Sequence, residues 1–104
     1  MTTKTLHKEL TISNKLGLHA RACAKLVGLT KQFKHDIYIS KILVNYDINT
    51  IQKINAKSLM AIMMLAISYN TKVVFTVVGD DIDILNESLT QISALINNKF
   101  GEAN

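Results

Sequence analysis

The stretch Asn14-Lys15-Leu16-Gly17-Leu18-His19-Ala20-Arg21 separates two kinds of periodicity. Before it, Leu10 and Ile12 alternate with Thr11 and Ser13, the period-two pattern of a half-buried strand that ends at Asn14. After it, Ala20, Cys23, Ala24 and Val27 recur at three- and four-residue spacing, which predicts a helix from His19 to about Gln32 with one apolar face, closed by Phe33. A strand that hands over to a helix within so few residues opens an α/β arrangement, and Gly17 gives the junction its backbone freedom.

Outward from this junction the same periodicities continue. Ile37 and Ile39 alternate with Tyr38 and Ser40 in a second strand, and a third is expected from about Ile48 to Ile54. A second helix is predicted from Lys57 to about Ser68, with Asn55 or Ser58 as its cap and Tyr69-Asn70-Thr71 as the turn out. Lys72 to Val78 is the clearest strand, with Val73, Phe75 and Val77 on one face and Val74, Thr76 and Val78 on the other. Gly79-Asp80-Asp81 then caps a last helix with the stripe Leu85, Leu89, Ile92 and Ile96. The order β-α-β-β-α-β-α, over a single domain spanning residues 1–104, predicts an α+β open-faced sandwich: a four-stranded, mostly antiparallel sheet with three helices on one face.

The chemistry of the junction follows from where its side chains fall. A helix start leaves backbone N–H groups without acceptors and carries positive partial charge, so anions collect there. His19 at that cap can attack a phosphoryl group, with the amides of Ala20 and Arg21 facing the incoming oxygens. The positive helix end favours the uncharged, nucleophilic ring, and the Arg21 guanidinium adds a fixed donor fork. Each helix-end contribution is worth about 0.3–1 kcal/mol and a hydrogen bond to a charged group about 1.5–3 kcal/mol, enough to orient a group that must be passed on. Taken alone, a His beside an Arg at a helix start is in most proteins a solvated cap, so the wider sequence must decide.

Composition narrows the classes. With 104 residues and 48% hydrophobic content the chain holds one core, and the longest apolar run, Leu59 to Ile67, falls well short of the roughly 20 residues of a membrane helix. One cysteine excludes an internal disulfide, and Met1-Thr2-Thr3-Lys4-Thr5 lacks the apolar stretch of a secretory signal, so a cytoplasmic location is expected. The net charge of +4 comes from scattered lysines with no basic cluster or paired strand aromatics, which argues for acidic protein partners and against nucleic acid. No Walker loop or Rossmann glycine pattern is present, and neither cofactor nor metal is expected. Cys23 lies four residues beyond His19, but no third ligand or orienting carboxylate stands at suitable spacing, so a small buried thiol is expected. His7 and His35 have no partners by sequence and are expected in solvent.

Gly17-Leu18-His19-Ala20-Arg21, followed by Ala22-Cys23-Ala24-Lys25-Leu26-Val27, resembles the active-site segment of the HPr family, the histidine phosphocarriers of the bacterial phosphoenolpyruvate-dependent phosphotransferase system. Asn55-Ala56-Lys57-Ser58-Leu59-Met60-Ala61-Ile62-Met63-Met64-Leu65 resembles that family's regulatory-serine helix, and the likeness runs from about Leu10 to Phe100. The resemblance implies the same open-faced fold and a monomeric, stoichiometric carrier, not an enzyme, that holds a transient phosphohistidine at His19 with Arg21 stabilising the phosphate. It further implies Enzyme I as donor and IIA domains as acceptors, with Ser58 as the target of an HPr kinase/phosphorylase. Ala20, Arg21, Leu59, Met60 and Met63 are the implied docking residues.

Two departures accompany the likeness. The family usually has proline after the arginine, where this chain has Ala22, so the helix should persist with a looser junction. Residues 41–52 are also several residues longer than the family's tight turn between its second and third strands.

Overall fold

In the computed structural model, which describes residues 2–103, the strands are β1 (Lys4–Thr11), β2 (Asp36–Ile42), β3 (Ile54–Asn55) and β4 (Lys72–Gly79). The helices are α1 (Ala20–Thr30), α2 (Leu59–Met63) and α3 (Ile82–Asn97), followed by a single 3-10 turn at Lys99–Gly101. The strands form one sheet in the order β1-β4-β2-β3, with every pair antiparallel. The predicted element order and open sandwich therefore hold.

Register explains the core. Leu10 and Lys41 flank Val73, Lys8 and Ile39 flank Phe75, and Leu6 and Ile37 flank Val77, so these rows share the face that the helices cover. Val73, Phe75, Val77, Ile37 and Ile39 are buried there against Leu26 of α1, Ile62 of α2 and Leu85, Leu89, Ile92 and Ile96 of α3. The α3 stripe is the one its spacing predicts, and Asp81 caps that helix by accepting from the amides of Asp83 and Ile84. Lys8 keeps its place in the row because β1 is an edge strand.

Several boundaries differ from the sequence reading, each for a local reason. β1 begins at Lys4 and stops at Thr11, not at Asn14. Ile12 has left the ladder: its amide donates to Thr71 O at 2.9 Å and its carbonyl accepts from Asn70 N at 2.7 Å. The buried face of α1 is Ala22, Cys23, Leu26, Val27 and Thr30, whereas Ala20 and Ala24 are exposed. Alanine suits either environment and so carries little facing information. The third strand is only Ile54–Asn55, because Asp47 O accepts from Thr50 and Ile51 and its Oδ1 from Asn49, which turns residues 47–51 into a self-bonded loop. The extended second helix is also cut short. α2 ends at Met63, Lys41 Nζ donates to the carbonyls of Leu65 and Ala66, and Ala66 adopts φ +51. That left-handed step turns the chain so that Ile67 O can accept the Leu18 amide at 2.9 Å.

The long β2–β3 connection does not hang free. Tyr46 Oη donates to Glu9 Oε2 at 3.0 Å, and since β4 lies between β2 and β1, the loop reaches across the helix-free face of the sheet. His7 is exposed as expected, with its Nδ1 2.9 Å from Thr76 Oγ1, whereas His35, also expected in solvent, is half-buried with its Nε2 2.9 Å from Ser88 Oγ. Ser88 Oγ donates to Leu85 O, so the His35 ring nitrogen is the donor in that contact. Burial, with Lys57 nearby, lowers the His35 pKa against the smaller opposing effect of Asp36.

Candidate functional site

The loop between β1 and α1 is shaped by Gly17, at φ +65. A Cβ there would stand 2.6 Å from Ile67 O and 2.8 Å from the Ser68 Cα, so the position requires both the absent side chain and the left-handed backbone. Leu18 beside it is buried and anchors the loop, which brings His19 to the N-cap of α1 in extended conformation (φ −72, ψ 175). The His19 carbonyl accepts the first helical bond, from Cys23 at 2.9 Å, while its side chain makes no capping bond. The amides of Ala20, Arg21 and Ala22 thus have no acceptor among the described residues.

The His19 ring lies at the surface with 29% of the side chain exposed. Its Nε2 is 2.6 Å from Glu102 Oε2, and Nδ1 has no hydrogen-bond partner among the described residues. A carboxylate only accepts, so Nε2 carries the hydrogen, and in the neutral ring the lone pair is on Nδ1. Glu102 is fixed in turn by Asn14, whose Nδ2 donates to Glu102 Oε1 at 3.1 Å and to Gly17 O at 2.8 Å. The Glu102 carboxyl is held below the usual carboxylate range, first by its bond with His19 and then by the Asn14 amide, with the positive charge of Lys25 adding to the effect.

The tail that carries Glu102 is built in. Phe100 is buried in the core, Lys99 and Phe100 both adopt positive φ, and Lys25 Nζ donates to Phe100 O at 2.6 Å. Glu102 and Asn14 are the site residues that the sequence reading missed. An aromatic following the polar run Asn97-Asn98-Lys99 was the one visible sign that the chain returns to the core.

The other predicted positions divide as follows. Arg21 is exposed and forms no ion pair with a described residue, so its guanidinium is free beside the uncapped amides. Ala22 is fully buried and α1 starts normally around it, so the helix tolerates alanine at this position. Cys23 is buried with Sγ directed at Leu18 O at 3.1 Å, and burial pushes its thiol pKa up. The described residues contain no group of three His, Cys, Asp or Glu side chains able to hold a metal. Ser58 is the α2 cap, its Oγ accepting from Ala61 N at 3.2 Å. Ile62 alone of α2 is buried, leaving Leu59 and Met63 each 38% exposed and Met60 68% exposed. α2 packs on α1, so this apolar surface belongs to the same side of the sheet as the exposed Ala20 and Arg21.

Fold and site together define a class: a small open-faced α/β sandwich with a partly exposed histidine at the N-cap of its first helix. The comparisons name it more closely. The PTS-HPr family, described as "PTS HPr component phosphorylation site", matches residues 6–98. Phosphocarrier protein HPr of Xylella fastidiosa is 37% identical over 97 residues, 93% of this chain and 97% of the relative. That of Pseudomonas aeruginosa is 38% identical over 94 residues, 90% and 93% of the two chains. The crystal structure of HPr-C-His from Thermoanaerobacter tengcongensis superposes with TM-score 0.76 at 34% identity, covering 95% of this chain and 99% of that one. The chain belongs to the HPr family, the phosphocarriers of the phosphotransferase system. No helix of the described residues is long and apolar enough to cross a membrane.

Proposed function

We propose that this chain accepts a phosphoryl group on Nδ1 of His19 from phospho-Enzyme I and delivers it to IIA domains, working as a monomeric single domain in the cytoplasm. The observation that carries the reading is the pairing at the helix mouth: Nε2 is occupied by Glu102 while Nδ1 and the first-turn amides are without partners among the described residues. Nδ1 attacks phosphorus, the donor's bond to phosphorus breaks as the new P–N bond forms, and the charge spread over the phosphoryl oxygens is met by the amides of Ala20 and Arg21 and the Arg21 guanidinium. Arg21 needs no competing partner released before it turns to the phosphate, since it makes no ion pair with a described residue. Leu59, Met60 and Met63 form the apolar rim on which donor and acceptor dock, with Ala20 and Arg21 between that rim and the ring.

Ser58 is the brake in this reading. A phosphate on its hydroxyl is compatible with the start of α2 but sets about two negative charges beside Leu59 and Met60, where acidic partners must seat. The decisive experiment is incubation with phosphoenolpyruvate and Enzyme I. It should give an acid-labile phosphoryl group that His19→Ala abolishes, and an unlabelled wild type under conditions that label an ordinary HPr refutes the reading. An HPr kinase should add an acid-stable phosphate that Ser58→Ala removes, and label surviving that substitution refutes the brake.

A further inference from the structure

We propose that the cavity at the pole of the molecule opposite His19 is a binding site for a small organic cation, a protonated primary amine on a compact apolar body. The cavity measures about 340 Å³ and lies where the segment joining α1 to β2 meets the turn from β4 into α3. Sites for small molecules span roughly 300–1,000 Å³. The 11 residues of α1, about 16 Å of helix, run between His19 and this pole, so the cavity can be filled without touching the ring.

Its walls are apolar and aromatic. Phe33, His35, Ile84 and Leu85 line it, with the Phe33 and His35 ring centroids 5.5 Å apart and the planes tilted by 50°. At Gly79, where β4 ends, a Cβ would stand 3.0 Å from His35 Cβ and 3.2 Å from Leu85 Cδ2, so the bare backbone leaves room for both side chains. Ile84 is 49% exposed, apolar surface that an occupant would take out of water.

The sign of the ligand's charge follows from Asp80 and Asp81, which complete the lining. Asp81 Oδ1 accepts from the amides of Asp83 and Ile84, so those donors at the start of α3 are already used and an anion finds little to hold it. Neither carboxylate forms an ion pair with a described residue, and Asp80 Oδ1 receives only the Thr3 hydroxyl at 3.5 Å. Nearby lysines are engaged with carbonyls: Lys4 Nζ donates to Thr2 O and Asp80 O, and Lys57 Nζ to Phe33 O. Lys34 on the lining is the opposing charge that remains. His35 donates from Nε2 to Ser88, so Nδ1 of the neutral ring is a further acceptor without a partner among the described residues. An ammonium group thus meets acceptors and an aromatic face, while its apolar body takes the walls.

The probe for this site is phenethylamine, titrated into the full chain and followed by NMR at the His35 ring and the Gly79 and Leu85 amides. The shifts should saturate. 2-Phenylethanol, the same body without the charge, should bind on the order of fivefold more weakly, and phenylacetate more weakly still. Asp80→Asn combined with Asp81→Asn keeps an oxygen to cap α3 and should bring phenethylamine and 2-phenylethanol to equal affinity. Ile84→Trp, at a half-exposed position, should crowd the cavity and abolish binding of both. A blocked tetrapeptide with phenylalanine beside lysine at its centre should bind no better than phenethylamine. Shifts that never saturate, equal binding of the three small compounds by the wild type, or a charge preference that survives loss of both carboxylates overturns the proposal. Tighter binding of the tetrapeptide also overturns it, by giving the cavity to a protein segment.

Discussion

Gly17 lies against the backbone of Ile67 so closely that a Cβ on it would meet the Ile67 carbonyl at 2.6 Å, the same oxygen that accepts the Leu18 amide. The loop that presents His19 and the segment that follows α2 are therefore one packed unit. Gly17→Ala combines left-handed backbone strain of about 1–2 kcal/mol with a backbone clash that no rotamer relieves. The variant should unfold at lower urea concentration, by about 2 kcal/mol or more, and should also transfer phosphate more slowly because the loop moves. An unchanged midpoint would show that the loop is not held by this contact.

Ala66 presents the opposite case, a residue with a Cβ where none is favoured. It is exposed and sits at φ +51, so its side chain gains little from packing and its backbone bears the left-handed cost. That strain, about 1–2 kcal/mol, outweighs the roughly 0.4–1 kcal/mol of extra unfolded-state entropy that glycine introduces. Ala66→Gly should therefore raise the melting temperature, a result that differential scanning calorimetry reads directly. A lower melting temperature would mean the strain is smaller than the entropy.

These two positions also show where sequence reading stops. Val73, Phe75 and Val77, the α3 stripe and the Asp81 cap are legible because they obey short-range periodicity and capping rules. The end of α2 is not, because Met64 to Ile67 is apolar and helix-compatible, and what stops it is tertiary: Lys41 on the carbonyls of Leu65 and Ala66 just beyond the helix, and Leu18 bonded to Ile67 O. The candidate site divides the same way. His19, Arg21 and the Ser58 cap lie in contiguous motifs, whereas the Glu102 carboxylate arrives from 83 residues away in sequence. Nothing in local spacing reports a contact made by the end of the chain.

Ser58 can be separated into cap and brake. Ser58→Ala leaves the Ala61 amide without its acceptor and should cost about 1 kcal/mol in urea denaturation. Ser58→Asp retains a capping oxygen, so stability should stay near the wild type while phosphotransfer from Enzyme I falls roughly tenfold through charge repulsion at the docking rim. Equal loss of stability and transfer in both variants would assign Ser58 to the cap alone.

The Tyr46 link tests whether the long connection truly lies across the sheet. Its hydroxyl is held above the ordinary tyrosine range, first by its bond to Glu9, then by desolvation and by the Glu9 charge. Alkaline titration followed by ultraviolet absorbance should resolve a late phenolate in the wild type. In Glu9→Gln that phenolate should appear at lower pH, since the carboxylate that opposed the second negative charge is gone. A phenolate indifferent to Glu9→Gln would place the loop away from β1.

Acid should undock the tail in a defined direction. The Glu102 carboxyl is lowered in the folded state, so its contribution is fully present above the unfolded value of about 4.3 and is lost as pH falls through the lower folded value. The wild type should accordingly be more stable than Glu102→Gln at neutral pH, and the difference should shrink on acidification through that range. Phe100 is buried in the core, so the core should hold while the last residues release. Amide exchange at Gly101 and Glu102, followed against pH alongside chemical denaturation, separates the two events. Curves for the wild type and Glu102→Gln that run parallel through the acid range would show that the carboxylate makes no bond to His19 that matters to the folded chain.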